Sequence, residues 1–385
     1  MAQLAFGLLA MTICLPSMQE WGRIFDAGQA SVQLTFSAFV LSYGGMQLLY
    51  GPLSDRIGRK KIMVFGMAVA SLGSVLSALS PSLDWLVAAR VLQGAGSAAG
   101  MVVGRALIND LFDGSERTRI MAFVSMALGM CPPLSTVLGG QLHVRLGWQA
   151  SFWVMGLLGL ALVAAGWRLL PEHRKSPSAE PETHWLREMG RSYARLLAEP
   201  RFLLSVTILS TMTATFYTFL GGVPIVLSHY GVGPDGIGYY IMFVPGSYFV
   251  GSYLATRLVR TLGEIRMMRI GQIATISGIV LMLVFALTGL RSPLAVAMPL
   301  TLMGVGHGLV VPPTLAATVG LIPALAGAAA AVAGVSQQLV GALGGFSVGL
   351  VPHDRGAANL AVLMLVFALP ACLAQWRLHR RAGHA

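Results

Sequence analysis

Long apolar runs separated by short charged or glycine-rich breaks recur from one end of the chain to the other. Runs of about 20 residues match what a helix needs to cross a hydrocarbon layer, where every backbone amide must find its partner inside its own segment. Twelve such cores can be drawn, over 2–18, 31–53, 62–80, 84–107, 120–142, 150–170, 202–226, 238–257, 269–290, 293–316, 327–350 and 358–376. The pattern predicts an all-α membrane protein of twelve transmembrane helices. Only one long polar stretch interrupts it, Pro171 to Arg201, with prolines at 171, 177, 181 and 200. That stretch reads as a linker between two six-helix bundles, 1–170 and 202–376, with a short tail over 377–385. Inside it Trp185, Leu186, Met189, Tyr193, Leu196 and Leu197 recur at helical spacing opposite Arg187, Arg191 and Arg195, which predicts a helix lying at the membrane surface.

The two halves repeat. Gly58 and Gly263, Gly66 and Gly271, and Leu138-Gly139-Gly140 and Leu343-Gly344-Gly345 are each 205 residues apart, and Gly94-Ala95-Gly96 is echoed by Gly304-Val305-Gly306 at 210. Internal repeats of this kind build transporters with a substrate site near the midplane, between the repeats.

Composition agrees. Of 385 residues 55% are hydrophobic and 11% charged, and the mean hydropathy is +0.72, too apolar for a water-soluble globule. A net charge of +11 would suggest nucleic acid in a soluble protein; here 21 of the 26 Lys and Arg fall in connections on one side of the predicted spans. That bias assigns those connections and both termini to the cytoplasm and gives the charge no nucleic-acid role. Cys14, Cys131 and Cys372 lie inside spans, with no disulfide or zinc spacing. The first run lacks a cationic start and is followed by eleven more, so it reads as span one rather than a secretion signal. It begins at Met1 with no tail before it, and the natural start is expected a few residues upstream.

Chemistry is sparse and localised. Between spans two and three, Gly51-Pro52-Leu53-Ser54-Asp55-Arg56-Ile57-Gly58-Arg59-Lys60-Lys61 packs four cations and one acid into a short loop. Charge bias alone requires neither Asp55 nor the two glycines, whose spacing suggests a tight hinge. Arg90 is a charge well inside a span, costing about 2.5–3.5 kcal/mol there; it either binds an anionic group or staples helices, and Gln93 follows one turn on. Gly94-Ala95-Gly96 fits a dinucleotide fingerprint by letter, but no strand precedes it, and the spacing of Gly96, Gly100 and Gly104 suits close helix packing. No phosphate loop occurs, so no ATPase is built in. Pro132 and Pro133, with Gly139 and Gly140, predict a bend in span five. Mid-span His307 is the first candidate to carry a proton, with a hydrogen-bonded core histidine as its alternative; Asp26 is the second, if span one extends that far. Aromatics including Phe216, Tyr217, Phe219, Tyr239 and Tyr240 gather in spans seven and eight, the kind of lining an apolar drug site uses.

The loop over 51–61, Arg90-Val91-Leu92-Gln93-Gly94-Ala95-Gly96 and Gly129-Met130-Cys131-Pro132-Pro133 through Gly140 resemble, in order and placement, the signatures of the major facilitator superfamily. Gln33, Thr35, Ser37, Gln47 and Tyr50 through Asp55 are similar to its Bcr/CflA-type drug:proton antiporters of bicyclomycin and chloramphenicol resistance. The resemblance is strong in the first half and faint in the second. It implies the major facilitator fold, two pseudo-symmetric six-helix bundles, and a gating network of Asp55, Arg59 and Asp110, with Gly51, Arg56 and Gly58 in the same motif and Asp113 as a rival partner. It also implies proton-coupled export of small amphipathic drugs or metabolites by a monomer in the bacterial inner membrane. Its partners are then a small-molecule substrate, protons and the lipid bilayer, with no cofactor and no enzymatic step. Two departures stand against this: Thr136 occupies a position where relatives carry a second proline, and Thr12-Ile13-Cys14 precedes Leu15-Pro16 where relatives often carry an aspartate. They keep open a carrier of the same fold that imports a metabolite or is not proton-coupled, and, in another class, a transporter-like receptor or membrane enzyme.

Overall fold

A computed structural model describes residues 2–112, 114–170, 185–322, 325–352 and 357–382. Its α-helices are α1 (Ala2–Thr12), α2 (Met18–Ile24), α3 (Gln29–Ile57), α4 (Arg59–Ala78), α5 (Leu83–Leu111), α6 (Gly114–Leu146), α7 (Gln149–Leu169), α8 (Trp185–Leu197), α9 (Pro200–His229), α10 (Pro234–Ile241), α11 (Phe243–Leu287), α12 (Pro293–Gly320), α13 (Ala326–Ser347) and α14 (Ala357–Ala382). Eight stretches among the described residues are long and apolar enough to cross a membrane, and one of them, Pro234–Leu287, holds the predicted spans eight and nine. The predicted spans one, two and five correspond to α1 with α2, to α3 and to α6. Two compact units result, Met1–Pro181 with Pro234–Gly238, and Glu182–Gly233 with Tyr239–Ala385.

Packing runs opposite to that of a soluble protein. On α4, Phe65 and Leu72 are exposed, as is Leu79 just past its end, while Gly66, Ser71, Gly73, Ser74 and Ser77 are buried. On α7, Trp153, Leu157 and Trp167 are exposed while Ser151, Gly156 and Gly159 are buried. Lipid tails are as apolar as leucine, so helices gain by pressing small residues together and turning large apolar ones outward. The buried hydroxyls bond to backbone, Ser71 Oγ to the Gly156 carbonyl at 2.7 Å and Ser77 Oγ to that of Gly73 at 2.7 Å.

Several sequence expectations are corrected here. The charged stretch after Tyr50 is not a loop: α3 stays helical through Gly51 and Pro52 to Ile57, only Gly58 leaves the helix (φ 113°), and α4 starts at Arg59. A 29-residue helix is about 43 Å long, so its last turns emerge from a hydrocarbon core of about 30 Å with the backbone still helical. The hinge is therefore Gly58 alone, and a Cβ on Gly51 would meet nothing nearer than Val102 Cγ1 at 3.9 Å. Span one is not continuous either; Ile13–Ser17 forms turns where Pro16 supplies no amide hydrogen. A second break, between α10 and α11 at Met242, lies just before Pro245.

Residues 171–184 of the expected linker lie outside the described residues, and Trp185–Leu197 forms α8. Leu196 is fully buried against Phe202, Val206, Leu209, Ala329 and Ala333 of the second unit, whereas Leu197 is exposed. At this end α8 docks on α9 and α13 through Leu196. α14 continues through the expected tail as far as Ala382.

The repeat has a geometric counterpart inside each unit. Gly58 (φ 113°) separates α3 from α4, and Gly263 (φ 73°) breaks α11 midway, so both connections are single left-handed glycines between long helices. A Cβ on Gly66 would lie 2.9 Å from the Gly96 carbonyl oxygen, and one on Gly271 would lie 2.9 Å from that of Gly306. One glycine crossing thus joins α4 to α5 and the second half of α11 to α12. Gly66→Val and Gly271→Val are each expected to cost about 1–3 kcal/mol by overpacking, read as matched drops in thermal midpoint of the purified protein; a drop at one site alone would separate the two crossings.

Candidate functional site

At the end of α3, Gly58 turns the chain so that the first residue of α4, Arg59, points back across two helices. Its side chain is nearly buried and bonded on three sides: Nε donates to Asp110 Oδ2 of α5 at 3.0 Å, Nη2 pairs with Asp55 Oδ1 at 2.5 Å, and Nη1 donates to Ser54 Oγ at 2.6 Å. Ser54 Oγ in turn donates to the Gly51 carbonyl at 2.8 Å. The Asp110 side chain is 14% exposed and that of Asp55 50%, so the Asp110 bond is the more desolvated and the harder to replace by water. All three charges lie in the first unit. The network ties α3, α4 and α5 of one bundle together. Asp113 lies outside the described residues, and Arg56 occupies the exposed last turn of α3.

Deeper in the same unit Arg90 is completely buried. Nη1 donates to the Ala10 carbonyl at 2.8 Å, just ahead of the turn in span one, and to Gln93 Oε1 at 2.5 Å; Gln93 Nε2 donates onward to Ser74 Oγ at 2.8 Å. The guanidinium carbon stands 4.2 Å from the Phe39 ring centre and 5.9 Å from that of Phe152. A desolvated cation on an aromatic face gains about 2 kcal/mol, yet Nε and Nη2 have no partner. Staple and candidate site coincide: one edge of the fork holds α1 and Gln93, and the other leaves Nε and Nη2 without an acceptor among the described residues.

In the second unit, His307 of α12 is 5% exposed, with Nδ1 2.9 Å from the Met303 carbonyl oxygen and Nε2 3.0 Å from that of Met212 on α9. A ring carrying both protons donates to both carbonyls, and a neutral ring to one only. Asp26 is not brought into any of this. It follows α2 in an exposed left-handed turn (φ 48°), so the extended span it needed is not formed. In α6 the helix continues through Pro132 and Pro133, the Pro132 carbonyl accepts from Ser135 Oγ at 3.1 Å and Thr136 Oγ1 at 2.7 Å, and Gly139 and Gly140 are buried. Thr12, where the aspartate was sought, lies 2.5 Å from Ser135 Oγ. Of the aromatics, Tyr217 and Phe219 are buried within α9 and Tyr239 is half exposed.

One pair escaped the sequence reading. Glu20 of α2 lies 3.2 Å from His143 Nε2 of α6, with Arg23 at 3.6 Å from the same carboxylate. The partners are 123 residues apart and neither stands in a motif, so no spacing signal announced them.

A family model of the Major Facilitator Superfamily matches residues 2–345, a stretch that includes the Arg59 cluster, Arg90 and His307. The chain belongs to the Major Facilitator Superfamily. It is 27% identical to the multidrug resistance protein D of Escherichia coli (strain K12), over 99% of this chain and 94% of that one. It is also 27% identical to a bicyclomycin resistance protein homolog of Haemophilus influenzae, over 96% and 92%. Among solved structures, a D-xylose-proton symporter superposes with a TM-score of 0.77 over 98% of this chain and 95% of that one, at 14% identity, which shows the shared fold. This superfamily member is a multi-pass membrane transporter with the twelve-helix plan read from its apolar runs.

Proposed function

We propose that this transporter is a secondary active exporter of small amphipathic drugs or metabolites, working by proton antiport and alternating access. The observation that carries the reading is the Asp55–Arg59–Asp110 cluster, a desolvated charge network joining the ends of α3, α4 and α5 within one bundle, which a shift among those helix ends during the transport cycle can break and remake. The drug-resistance names of the relatives support export. One proton entering through a potential of 100 mV supplies about 2.3 kcal/mol, enough for about fiftyfold accumulation. His307, held between two carbonyls, is the first proton-binding position, and the Glu20–His143 pair is the second. In this reading the protein is a monomer in the bacterial inner membrane, with both termini on the cytoplasmic side where the basic connections gather.

Two measurements test it. In an efflux-deficient bacterium, the intact chain is expected to raise tolerance to several amphipathic drugs and Arg59→Ala to abolish the gain; a flat panel for the intact chain defeats drug export. In proteoliposomes, adding substrate is expected to drive a proton flux that His307→Gln removes while substrate exchange persists. An unchanged flux in that variant moves coupling to Glu20 and His143. No flux in the intact protein favours the second reading, a carrier that is not proton-coupled, which the buried Thr12 in place of an acid supports.

A further inference from the structure

Between the second half of α11 and the last turns of α14 lies a pocket of about 540 Å³, lined by Arg269, Gln272, Ile276, Gln375, Trp376 and His379 among others. The pocket belongs wholly to the second unit and to none of the groups described above. Its chemistry is graded along the helices. Arg269 and His379 stand at the basic end, Arg380 lies over the Trp376 ring at 4.0 Å, and Ile273 and Ile276 continue the wall into the apolar part of α11. No acid lines it.

Polar capacity inside the pocket is unused. Gln375 is 2% exposed, yet its Oε1 has no partner among the described residues, and neither has Nδ1 of His379. Gln272 Nε2 reaches only Met212 Sδ at 3.9 Å, and Cys372 Sγ contacts Gln272 Oε1 at 3.5 Å. Buried polar atoms left without partners in a roomy site mark a place where a ligand's own donors and acceptors belong. Cations at the mouth, an interfacial tryptophan beside them and aliphatic walls leading inward follow the profile of a phospholipid, which carries its charge at one end and its chains at the other.

We propose that the pocket between α11 and α14 holds the head group of an anionic phospholipid, its phosphate beside Arg269 and His379, a head-group hydroxyl at Gln375, and an acyl chain along Ile273 and Ile276. The ligand chemistry is a glycerol phosphate ester, and the source is the bilayer rather than a soluble ester, because the apolar wall has a role only for attached chains. The bound lipid joins the two helices at the end where α11 breaks at Gly263. This inference does not depend on the direction of transport or on proton coupling.

The test uses the full chain purified in detergent and offered an equimolar mixture of phosphatidylglycerol and phosphatidylcholine with identical chains, the retained lipids being counted by native mass spectrometry. Phosphatidylglycerol is expected to be retained in preference. Arg269→Gln is expected to lower that retention about fivefold, the loss of about 1 kcal/mol of head-group attraction. Ser277→Trp, which fills the pocket from an exposed lining position, is expected to abolish retention, while Arg260→Gln, on the exposed surface before the break, leaves it unchanged. Soluble glycerol phosphate in excess is expected not to compete. Equal retention of the two lipids, retention indifferent to both Arg269→Gln and Ser277→Trp, an equal loss in Arg260→Gln, or displacement by glycerol phosphate would each overturn the proposal.

Discussion

Arg59→Ala is expected to lower transport at least about tenfold, an effect worth about 1.4 kcal/mol or more in the cycle, and to be the most disruptive single change in the first unit. The side chain is the only cation bonded to Asp110 among the described residues, and Asp110 is nearly as buried as Arg59 itself. Removing one partner of a buried ion pair strands the other and costs about 3–5 kcal/mol. The half-exposed Asp55 contributes far less, in the range of about 0–1 kcal/mol typical of surface pairs. The order of damage in transport and in thermal midpoint should therefore be Arg59→Ala, then Asp110→Asn, then Asp55→Asn for stability. The double variant Arg59→Ala/Asp110→Ala is expected to be more stable than Arg59→Ala alone, since it leaves no stranded carboxylate. Strict additivity of the two single effects would show that they do not act as a unit.

Arg90→Met separates the two roles that meet in that side chain. Methionine has comparable reach and no charge, and it removes the desolvation cost of a buried ion, several kcal/mol in a protein interior. With Nε and Nη2 already unpartnered among the described residues, the fold loses the bonds to Ala10 and Gln93 and the cation on the Phe39 face. The expected result is a thermal midpoint at or above that of the parent, with transport in proteoliposomes reduced at least about tenfold. Arg90→Lys keeps the charge but loses the planar fork on the Phe39 face, so it is expected to be both less stable and inactive. Parental transport in Arg90→Met would reduce Arg90 to a staple.

How much of this was legible depends on whether a property is local. The twelve spans were, because each is written as about 20 apolar residues with no contribution from elsewhere. The repeat was too: Gly58 and Gly263 are both left-handed breaks, and Gly66 and Gly271 both sit against a glycine carbonyl one helix away. The charged stretch after Tyr50 was misread as a loop because composition reports solvent, not backbone. Once α3 leaves the hydrocarbon its residues turn polar, while the helix goes on to the first glycine that can reverse it. Asp26 failed for the opposite reason, since nothing in its neighbours announced that the chain would leave α2 just before it.

The amino-acid order by itself determined the membrane setting, the two-bundle plan, the family and the three charges of the Arg59 cluster, all carried by short motifs or by runs that act over one helix. Tertiary structure alone decided which of those charges share a desolvated space, that Arg90 bonds to the span-one backbone, that Glu20 meets His143, and that Arg269 and His379 close one pocket. Each of those pairings joins residues dozens to more than a hundred positions apart. Such contacts follow from how packed helices are rotated about their axes, and that rotation is settled by many small-residue contacts at once rather than by any local pattern.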